Sequence, residues 1–487
     1  MKKLVFIFCL LINSYILCCQ NIITFNRSYT DTLFFSNGSN DAIETDSFYY
    51  ISTSGIGNFL DGNVGTFVRV YKIDKLGNEQ SGYNVIYPNK DFITSTKMIK
   101  SKSNDGFYLA QPFIVDSNFV NNGFFSIIKL NNNLETEWQF VLQDSIPNNL
   151  PFEIFEQNNK LYLFGTSKFQ GTPVFSRLII ISKEGELLNS FAYYEPEGNL
   201  IPFRGCLLIS GNMLMSGSTE KFGTMRGNML KVDSLGNLVQ TYNYPNTYAL
   251  GVRNFGPAHA LMYGYNIPVI GNGARGVLQK IDTNGVVIWR KNIPYGSDFG
   301  FNGANVFSNG NIVGVGNTYI PGTNGAGYVG CFDGIGNTLW QRTYINPTNL
   351  PNVTDQLIDV LETTDGGILI NGAAIGAGGQ DLWLLKLDSM GCLDPNCWVG
   401  IEDVKPNSMG VQIYPNPATE WLNVKVALEF TDVNLRIINL SGQLVGQYEL
   451  SAPLNYLSVS NLPYGLYLLK FEDNKGNFET QKIFLGR

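Results

Sequence analysis

The sequence contains one histidine, the residue that Ser-His-Asp and Cys-His nucleophilic catalysis require. His259 lies in Pro257-Ala-His-Ala-Leu-Met262, an apolar strand pattern in which a structural or surface histidine is the favoured interpretation. The sequence contains neither a Gly-x-Ser-x-Gly nucleophile motif nor a calcium-loop or phosphate-binding glycine motif. We therefore predict no catalytic residue, no cofactor and no metal ligand.

Pairs of carboxylates are the remaining candidates for chemistry. Two such groups held about 5–9 Å apart could hydrolyse a glycosidic bond, one as acid and the other as base or nucleophile. Spacing in sequence does not establish that separation, and solvated loop positions are the default interpretation. A glycan hydrolase that uses loop carboxylates therefore stays open as the alternative function. The candidate pairs are Glu195 with Glu197, Asp355 with Asp359, and Glu135 with Glu137.

A repeat of about fifty residues determines where any such group would lie. A strand ends in a Lys-x-Asp-like step and a Gly or Asn turn follows, seven times in succession, with the Asp-equivalent position at residues 74, 131, 182, 233, 282, 333 and 388. Each unit reads as four strands, and four-stranded units of this length are typical of propeller blades. We predict an all-β chain with a seven-bladed β-propeller over residues 20–399.

The ends of the repeat region predict how the ring closes. The last unit has three strands of its own, whereas residues 22–29 form an isolated strand before the first unit. That strand resembles the fourth strand of unit six, which ends at Tyr344. We therefore expect residues 22–29 to complete the last blade, which leaves no unpaired edge at the seam.

Aromatic residues in the connections are the candidate ligand contacts of a propeller, because exposed rings stack on sugars or anchor partner proteins. The alternative for each residue is that it covers a blade edge. The candidates lie in or beside connections rich in Pro, Gly and Asn: Tyr194, Tyr295, Phe299, Phe301 and Tyr319.

The N-terminus and the cysteines indicate export. A basic start and an apolar run over residues 4–12 predict a signal peptide over residues 1–19, with acylation of Cys19 as the alternative. In an oxidising compartment the short loop from Cys392 to Cys397 favours a disulfide, with two free thiols as the alternative. Zinc is disfavoured, because two thiolates and a distant histidine do not complete a tetrahedral site.

The last eighty residues differ from the repeat. After a linker at residues 400–410, short alternating strands over residues 411–487 predict a small immunoglobulin-like β-sandwich. This segment resembles the type A C-terminal sorting domain of the type IX secretion system of Bacteroidetes. The resemblance rests on three motifs and on single positions within and beside them: Tyr414-Pro415-Asn416-Pro417, the segment from Leu435 to Val445 with Gly442, the segment from Leu462 to Lys470 with Gly465 and Tyr467, and Lys482.

The resemblance implies a route and partners. The chain would cross the periplasm, dock at the outer-membrane translocon and lose its tail to a sorting peptidase. The cargo would then be secreted or attached to the outer cell surface, and the cut would fall near residues 400–410.

Composition narrows the function. A net charge of −7 with 15% charged residues is unfavourable for binding nucleic acid. The sequence offers no transmembrane segment. We therefore expect a non-catalytic binding or structural protein, with a glycan or a surface protein as its ligand.

Overall fold

The structure is a computed structural model that describes residues 22–30, 34–58, 64–87, 96–114, 123–142, 146, 149–169, 171–195, 198–221, 224–266, 274–293, 299–318, 326–347, 355–376, 379–394, 397, 410–427, 433–440, 442–450, 453–473 and 478–486. The chain divides into two compact units between residues 397 and 398. Within the described residues, the first unit is built from seven four-stranded antiparallel sheets and the second from two smaller sheets.

The blades follow one another in chain order, and each begins at its innermost strand. Blade 1 is β2 (Phe34–Glu44), β3 (Phe48–Asn58), β4 (Val64–Asp74) and β5 (Tyr83–Tyr87), and blade 2 is β6 (Lys97–Lys100), β7 (Phe107–Ile114), β8 (Gly123–Leu130) and β9 (Thr136–Val141). Blade 3 is β10 (Leu150–Gln157), β11 (Lys160–Ser167), β12 (Phe175–Ser182) and β13 (Leu187–Tyr193). Blade 4 is β14 (Gly198–Leu207), β15 (Met213–Lys221), β16 (Thr224–Val232) and β17 (Leu238–Tyr244).

The remaining blades repeat this order until the last, which takes its fourth strand from the start of the chain. Blade 5 is β18 (Thr247–Asn254), β19 (His259–Asn266), β20 (Gly276–Asp282) and β21 (Val287–Ile293), and blade 6 is β22 (Phe299–Val306), β23 (Ile312–Thr318), β24 (Ala326–Phe332) and β25 (Thr338–Tyr344). Blade 7 is β26 (Gln356–Glu362), β27 (Ile368–Gly376), β28 (Gly379–Leu387) and β1 (Phe25–Tyr29). The predicted seven-bladed architecture is therefore confirmed.

Strand β1 closes the ring as the sequence predicts. It pairs antiparallel with β28, with Phe25 opposite Lys386 and Tyr29 opposite Leu382. The Trp383 indole N–H donates to Asn26 Oδ1 at 2.7 Å, and the Thr24 hydroxyl donates to the carbonyl of Leu393. The two ends of the repeat region thus share one sheet.

The predicted disulfide is also confirmed. Cys392 and Cys397 are bonded, and Cys392 is buried. The bridge follows the last Asp turn directly, because the Cys392 amide donates to Asp388 Oδ1 at 2.7 Å. The cysteine loop therefore stands where the other blades begin their fourth strand, and Thr24 links it to the closing strand.

The Lys-x-Asp landmark is a hairpin turn between the third and fourth strands. Asp74 Oδ1 accepts the amides of Leu76 at 2.9 Å and Asn78 at 2.8 Å, a local bond pattern that fixes a tight turn. The Asn337 amide makes the equivalent bond to Asp333 and holds the pKa of that carboxyl below its usual range. In all seven blades the side chain at this position accepts the backbone amides two and four residues later. The acceptors are Asp74, Asn131, Ser182, Asp233, Asp282, Asp333 and Asp388.

An aromatic ring from the preceding blade packs against the glycine of this turn. Gly285 has φ +77°, and a Cβ placed on it would lie 2.2 Å from the Tyr242 ring of blade 4. The same contact recurs at six of the seven blade junctions, between Phe25 and Gly77, Trp138 and Gly185, Phe191 and Gly236, Tyr242 and Gly285, Trp289 and Gly336, and Trp340 and Gly391. At the seventh junction Leu134, with φ +66°, takes the place of glycine.

Tyrosine hydroxyls reinforce four of these junctions. The last residue of the fourth strand donates to the carbonyl of the same turn glycine, as from Tyr193 to Gly236 at 2.7 Å. The other donors are Tyr29 to Gly77, Tyr244 to Gly285 and Tyr344 to Gly391. The closing strand β1 thus contacts blade 1 in the way that the other fourth strands contact their neighbours.

The second unit is a β-sandwich. One sheet contains β29 (Gln412–Tyr414), β30 (Trp421–Lys425) and β33 (Leu454–Ser458), and the other contains β31 (Val433–Asn439), β32 (Leu444–Leu450), β34 (Gly465–Glu472) and β35 (Phe478–Leu485). Leu422 and Val424 from the first sheet pack with Leu435, Leu469 and Phe471 from the second in a single buried core.

The aromatic–glycine contact predicts unequal effects of two equivalent substitutions. Gly285→Ala and Gly310→Ala both place alanine at φ near +80°, but a Cβ meets the Tyr242 ring at Gly285 and nothing within 4 Å at Gly310. We expect Gly310→Ala to cost about 1–2 kcal/mol of backbone strain, and Gly285→Ala to cost about 1–3 kcal/mol more from overpacking. Urea unfolding of both variants measures the difference, and equal midpoints would contradict the packing role of the ring.

Ring closure predicts a large effect of removing β1. Deleting residues 20–30 exposes the edge of β28 and removes the buried side chains of Phe25 and Tyr29. We expect a sharp fall in the melting temperature relative to a protein that begins at residue 22 and keeps β1. An unchanged melting temperature after the longer deletion would show that β1 is dispensable for closure.

Candidate functional site

A β-bulge at the same level of the innermost strands places side chains at the centre of the propeller. In β10, for example, the pairing shifts between Pro151 and Glu153, so that Phe152 is the extra residue. Bulges of this kind redirect side chains and occur often beside binding sites. Among the described strands, six of the seven innermost ones carry the shift, and their extra residues are Asn40, Phe152, Phe203 with Arg204, Leu250, Asn302 and Ile358.

These extra residues surround a cavity of about 270 Å³. Every innermost strand contributes to its lining, including β6 through Lys97. The wall combines apolar groups with amides and two cations, and its residues are Asn40, Lys97, Phe152, Phe203, Arg204, Leu250, Asn302, Gln356 and Ile358. The cavity therefore lies where all seven blades meet.

A network of ion pairs adjoins the cavity. Lys97 Nζ lies 2.6 Å from Asp41 Oδ1, and Arg204 Nη1 lies 3.1 Å from Asp359 Oδ2. Arg253 Nη2 reaches the other oxygen of Asp359 at 3.4 Å. Burial alone would raise the pKa of Asp359, but Arg204 and Arg253 outweigh it and hold that pKa below its usual range. Asp359 is therefore an ionised carboxylate held between two guanidinium groups.

A row of aromatic rings leads away from the cavity across three blades. Phe152 meets Phe203 edge-on with ring centroids 6.1 Å apart, and Phe203 lies 5.6 Å from Tyr248. Tyr248 stacks on Tyr265 at 4.8 Å with the rings 12° from parallel. All four rings are half-buried, so each keeps part of its surface accessible.

The aromatic residues predicted as ligand contacts are not those that form this row. Phe301 is fully buried between Tyr328 and Phe332, so its prediction as a ligand-face residue is wrong. Tyr194 is 63% exposed and stacks on Phe175 at 4.7 Å, outside the cavity lining. Tyr295, Tyr319 and the side chain of Phe299 lie outside the described residues.

Among the predicted carboxylate pairs, Asp359, Glu135 and Glu137 contact cations or an amide. Asp359 belongs to the ion-pair network, as described above. Glu135 accepts a hydrogen bond from Asn131, and Glu137 lies 3.5 Å from Lys129 in the same hairpin.

Three further candidates from the sequence lie away from the cavity or outside the described residues. Glu195 forms an isolated bridge with Gly198, and its predicted partner Glu197 lies outside the described residues. His259 is half-buried at the start of β19 and does not line the cavity.

In the sandwich, Asn416 binds the edge strand β35. Its side-chain amide donates to the carbonyl of Lys482 at 3.1 Å, and its Oδ1 accepts the Phe484 amide at 3.0 Å. The residue after the motif, Ala418, continues this pairing with Phe484 and Gly486. The flanking Pro415 and Pro417 follow cis peptide bonds. The Asn416 side chain thus supplies one donor and one acceptor to β35 between two prolines, whose nitrogens cannot donate.

The other sorting-motif residues are spread over the same domain. Tyr414 is 45% exposed, and Lys482 is exposed on β35. Gly442 occupies a left-handed turn position with φ +78°, and Gly465 begins β34. The buried Tyr467 donates its hydroxyl to the carbonyl of Pro463 at 2.6 Å.

The fold and the tail together define a class of protein, a β-propeller followed by a β-sandwich. Residues 412–485 match the family described as "Secretion system C-terminal sorting domain". This domain indicates sorting by the type IX secretion system and export to the cell surface or secretion. No helix long and apolar enough to span a membrane occurs in the part of the chain that the structure describes.

Comparison with solved structures finds distant resemblances. Polysaccharide lyase Uly1 is 9% identical with a TM-score of 0.46, over 75% of this chain and 99% of that one. The BBS1N structure in complex with ARL6DN is 11% identical with a TM-score of 0.44, over 76% and 99%. Trypanosoma rangeli sialidase is 8% identical with a TM-score of 0.41, over 80% and 84%. No curated protein matches the sequence significantly.

The role of Asn416 predicts a local effect that can be measured at one amide. Asn416→Ala removes both side-chain bonds to β35, which we expect to cost about 1–3 kcal/mol of sandwich stability. Hydrogen exchange of the Phe484 amide should accelerate strongly, because its acceptor is lost. Asn416→Asp keeps the acceptor for Phe484 and serves as the control. Unchanged Phe484 protection in Asn416→Ala would contradict this role.

Proposed function

We propose that this protein is an exported, non-catalytic glycan-binding propeller that holds the end of a saccharide chain in its central cavity. The observation that carries the proposal is the cavity itself, about 270 Å³ in volume and lined from all seven innermost strands. This volume is close to the lower end of the range for small-molecule sites, roughly 300–1,000 Å³. A terminal sugar residue suits such a volume.

The chemistry of the wall supports a sugar. Phe152 and Phe203 offer ring surface, on which the C–H face of a pyranose stacks. The side-chain amides of Asn40, Asn302 and Gln356 are suited to hydroxyl groups, because each amide both donates and accepts hydrogen bonds. A purely apolar ligand would leave these amides without compensation for the water that they lose.

The aromatic row supports a chain longer than one sugar. Beyond Phe203 it continues through Tyr248 to Tyr265, and consecutive centroids are 4.8–5.6 Å apart. Successive sugar units leaving the cavity would have these half-buried rings beside them. The row therefore favours binding of a chain end over binding of a free monosaccharide.

The ion pairs argue against the hydrolase alternative at this cavity. A glycosidase needs a carboxylic acid that keeps its proton near neutral pH. Asp359 is the reverse case, because Arg204 and Arg253 lower its pKa. Asp41 contacts the Lys97 ammonium at 2.6 Å and also accepts the Met98 amide. Asp41 and Asp359 therefore hold the cations that adjoin the cavity.

Binding to a panel of oligosaccharides tests the proposal. We expect at least one to raise the melting temperature of the mature protein and to be recovered uncut. A ligand at 100 times its dissociation constant adds about 2.7 kcal/mol of stability. Phe203→Ala should weaken binding at least tenfold, whereas Tyr194→Ala removes an exposed ring elsewhere and should leave binding unchanged. No shift with any saccharide, or cleavage of the bound one, would overturn the proposal.

A further inference from the structure

We infer that the central cavity selects an acidic sugar, one that carries a carboxylate, over its neutral counterpart. This inference rests on the proposed function and names the class of glycan. It begins with the charge of the wall. Of the nine described residues that line the cavity, Lys97 and Arg204 are charged, and both are cations. The carboxylates that pair with them, Asp41 and Asp359, are not part of that lining.

Both cations are held in place before a ligand arrives. The Lys97 and Arg204 side chains are 7% and 12% exposed, and their carboxylate partners are similarly buried. Arg204 Nη2 also donates to the carbonyl of Asn40 at 3.0 Å. Since the side chains are already fixed, an incoming anion does not need to order them, and little conformational entropy opposes binding.

The cations keep donor capacity for an anion. A guanidinium has five N–H donors and an ammonium has three. Arg204 Nη1 lies 3.1 Å from Asp359 Oδ2, and its Nη2 contact with Asn40 uses one further N–H, so these contacts occupy part of the guanidinium's donor set. Asp41 Oδ1 accepts one bond from the Lys97 ammonium. A carboxylate in the cavity would accept the donors that remain.

The geometry of the donors favours a carboxylate. A guanidinium presents parallel N–H groups that match the two oxygens of a carboxylate, and such charge-assisted bonds are about twice as strong as neutral ones. The neighbouring amides of Asn40 and Asn302 suit the ring hydroxyls of the same sugar. A uronic-acid residue at the chain end unites these groups, with its carboxylate at Lys97 and Arg204 and its ring against Phe203.

The test changes the ligand and leaves the protein intact. Isothermal titration of the mature protein compares oligouronates of two or three sugars, such as oligogalacturonate and oligoglucuronate, with their methyl esters. An ester keeps the shape and the hydroxyls but loses the charge. We expect one acid to bind at least tenfold more tightly than its ester, and its affinity to fall between 50 and 500 mM salt, because salt screens the attraction.

A matched pair of lysine variants locates the effect. Lys97→Gln should remove most of the preference for the acid over the ester. Lys183→Gln breaks a comparable pair, with Glu156 at 2.9 Å, but lies outside the cavity lining and should keep the preference. If Lys97→Gln does not fold, the comparison of acid and ester on the unaltered protein decides.

Each outcome separates the two proposals. Equal binding of acid and ester, weakened by Phe203→Ala, would overturn the acidic preference and leave glycan binding in place. A preference for the acid that survives in folded Lys97→Gln would move the anion away from the cavity and overturn the inference. Absence of binding by every saccharide would overturn both proposals.

Discussion

The contact between an aromatic ring and the turn glycine of the next blade is the interaction on which the rest of the propeller depends. The glycine meets two requirements at once. Its left-handed conformation completes the turn that the Asp position begins, and its missing side chain leaves space for the ring. Because the contact recurs at six of seven junctions, it sets neighbouring blades at a repeated spacing. A repeated spacing brings the innermost strands to a common centre, where the cavity lies.

The bulges determine which side chains of the innermost strands reach the centre of the propeller. A regular innermost strand alternates its side chains between its two faces, both of which meet neighbouring blades. One extra residue breaks the alternation and turns a single side chain toward the axis. In β26 the extra residue Ile358 enters the lining, and the next residue, Asp359, enters the ion-pair network. The same local irregularity thus supplies both the wall and the charges beside it.

The sequence predicts the structural features that repeat but not those that depend on the β-bulges of the innermost strands. The Asp turns recur every fifty residues, and the closing strand carries the same terminal tyrosine as a fourth strand, so blade number and closure could be inferred. The bulge leaves no comparable pattern. The sequence predicts Phe301 at a ligand face because it lies beside a connection, whereas the structure buries Phe301 within β22, and the pairing shift between Phe301 and Gly303 brings Asn302 to the cavity. No sequence pattern distinguishes Phe203 and Tyr248, because they lie within strands, where a ring is ordinarily a packing residue.

The pairing of β1 with β28 has a consequence for the order of folding. The strands that share this sheet are separated by about 360 residues, so β1 has no partner until nearly the last blade strand has been synthesised. A chain interrupted before β28 therefore keeps a gap between its first and last blades. The sorting domain begins soon after β28, at residue 412. Closure of the ring and completion of the sorting domain therefore depend on neighbouring parts of the chain.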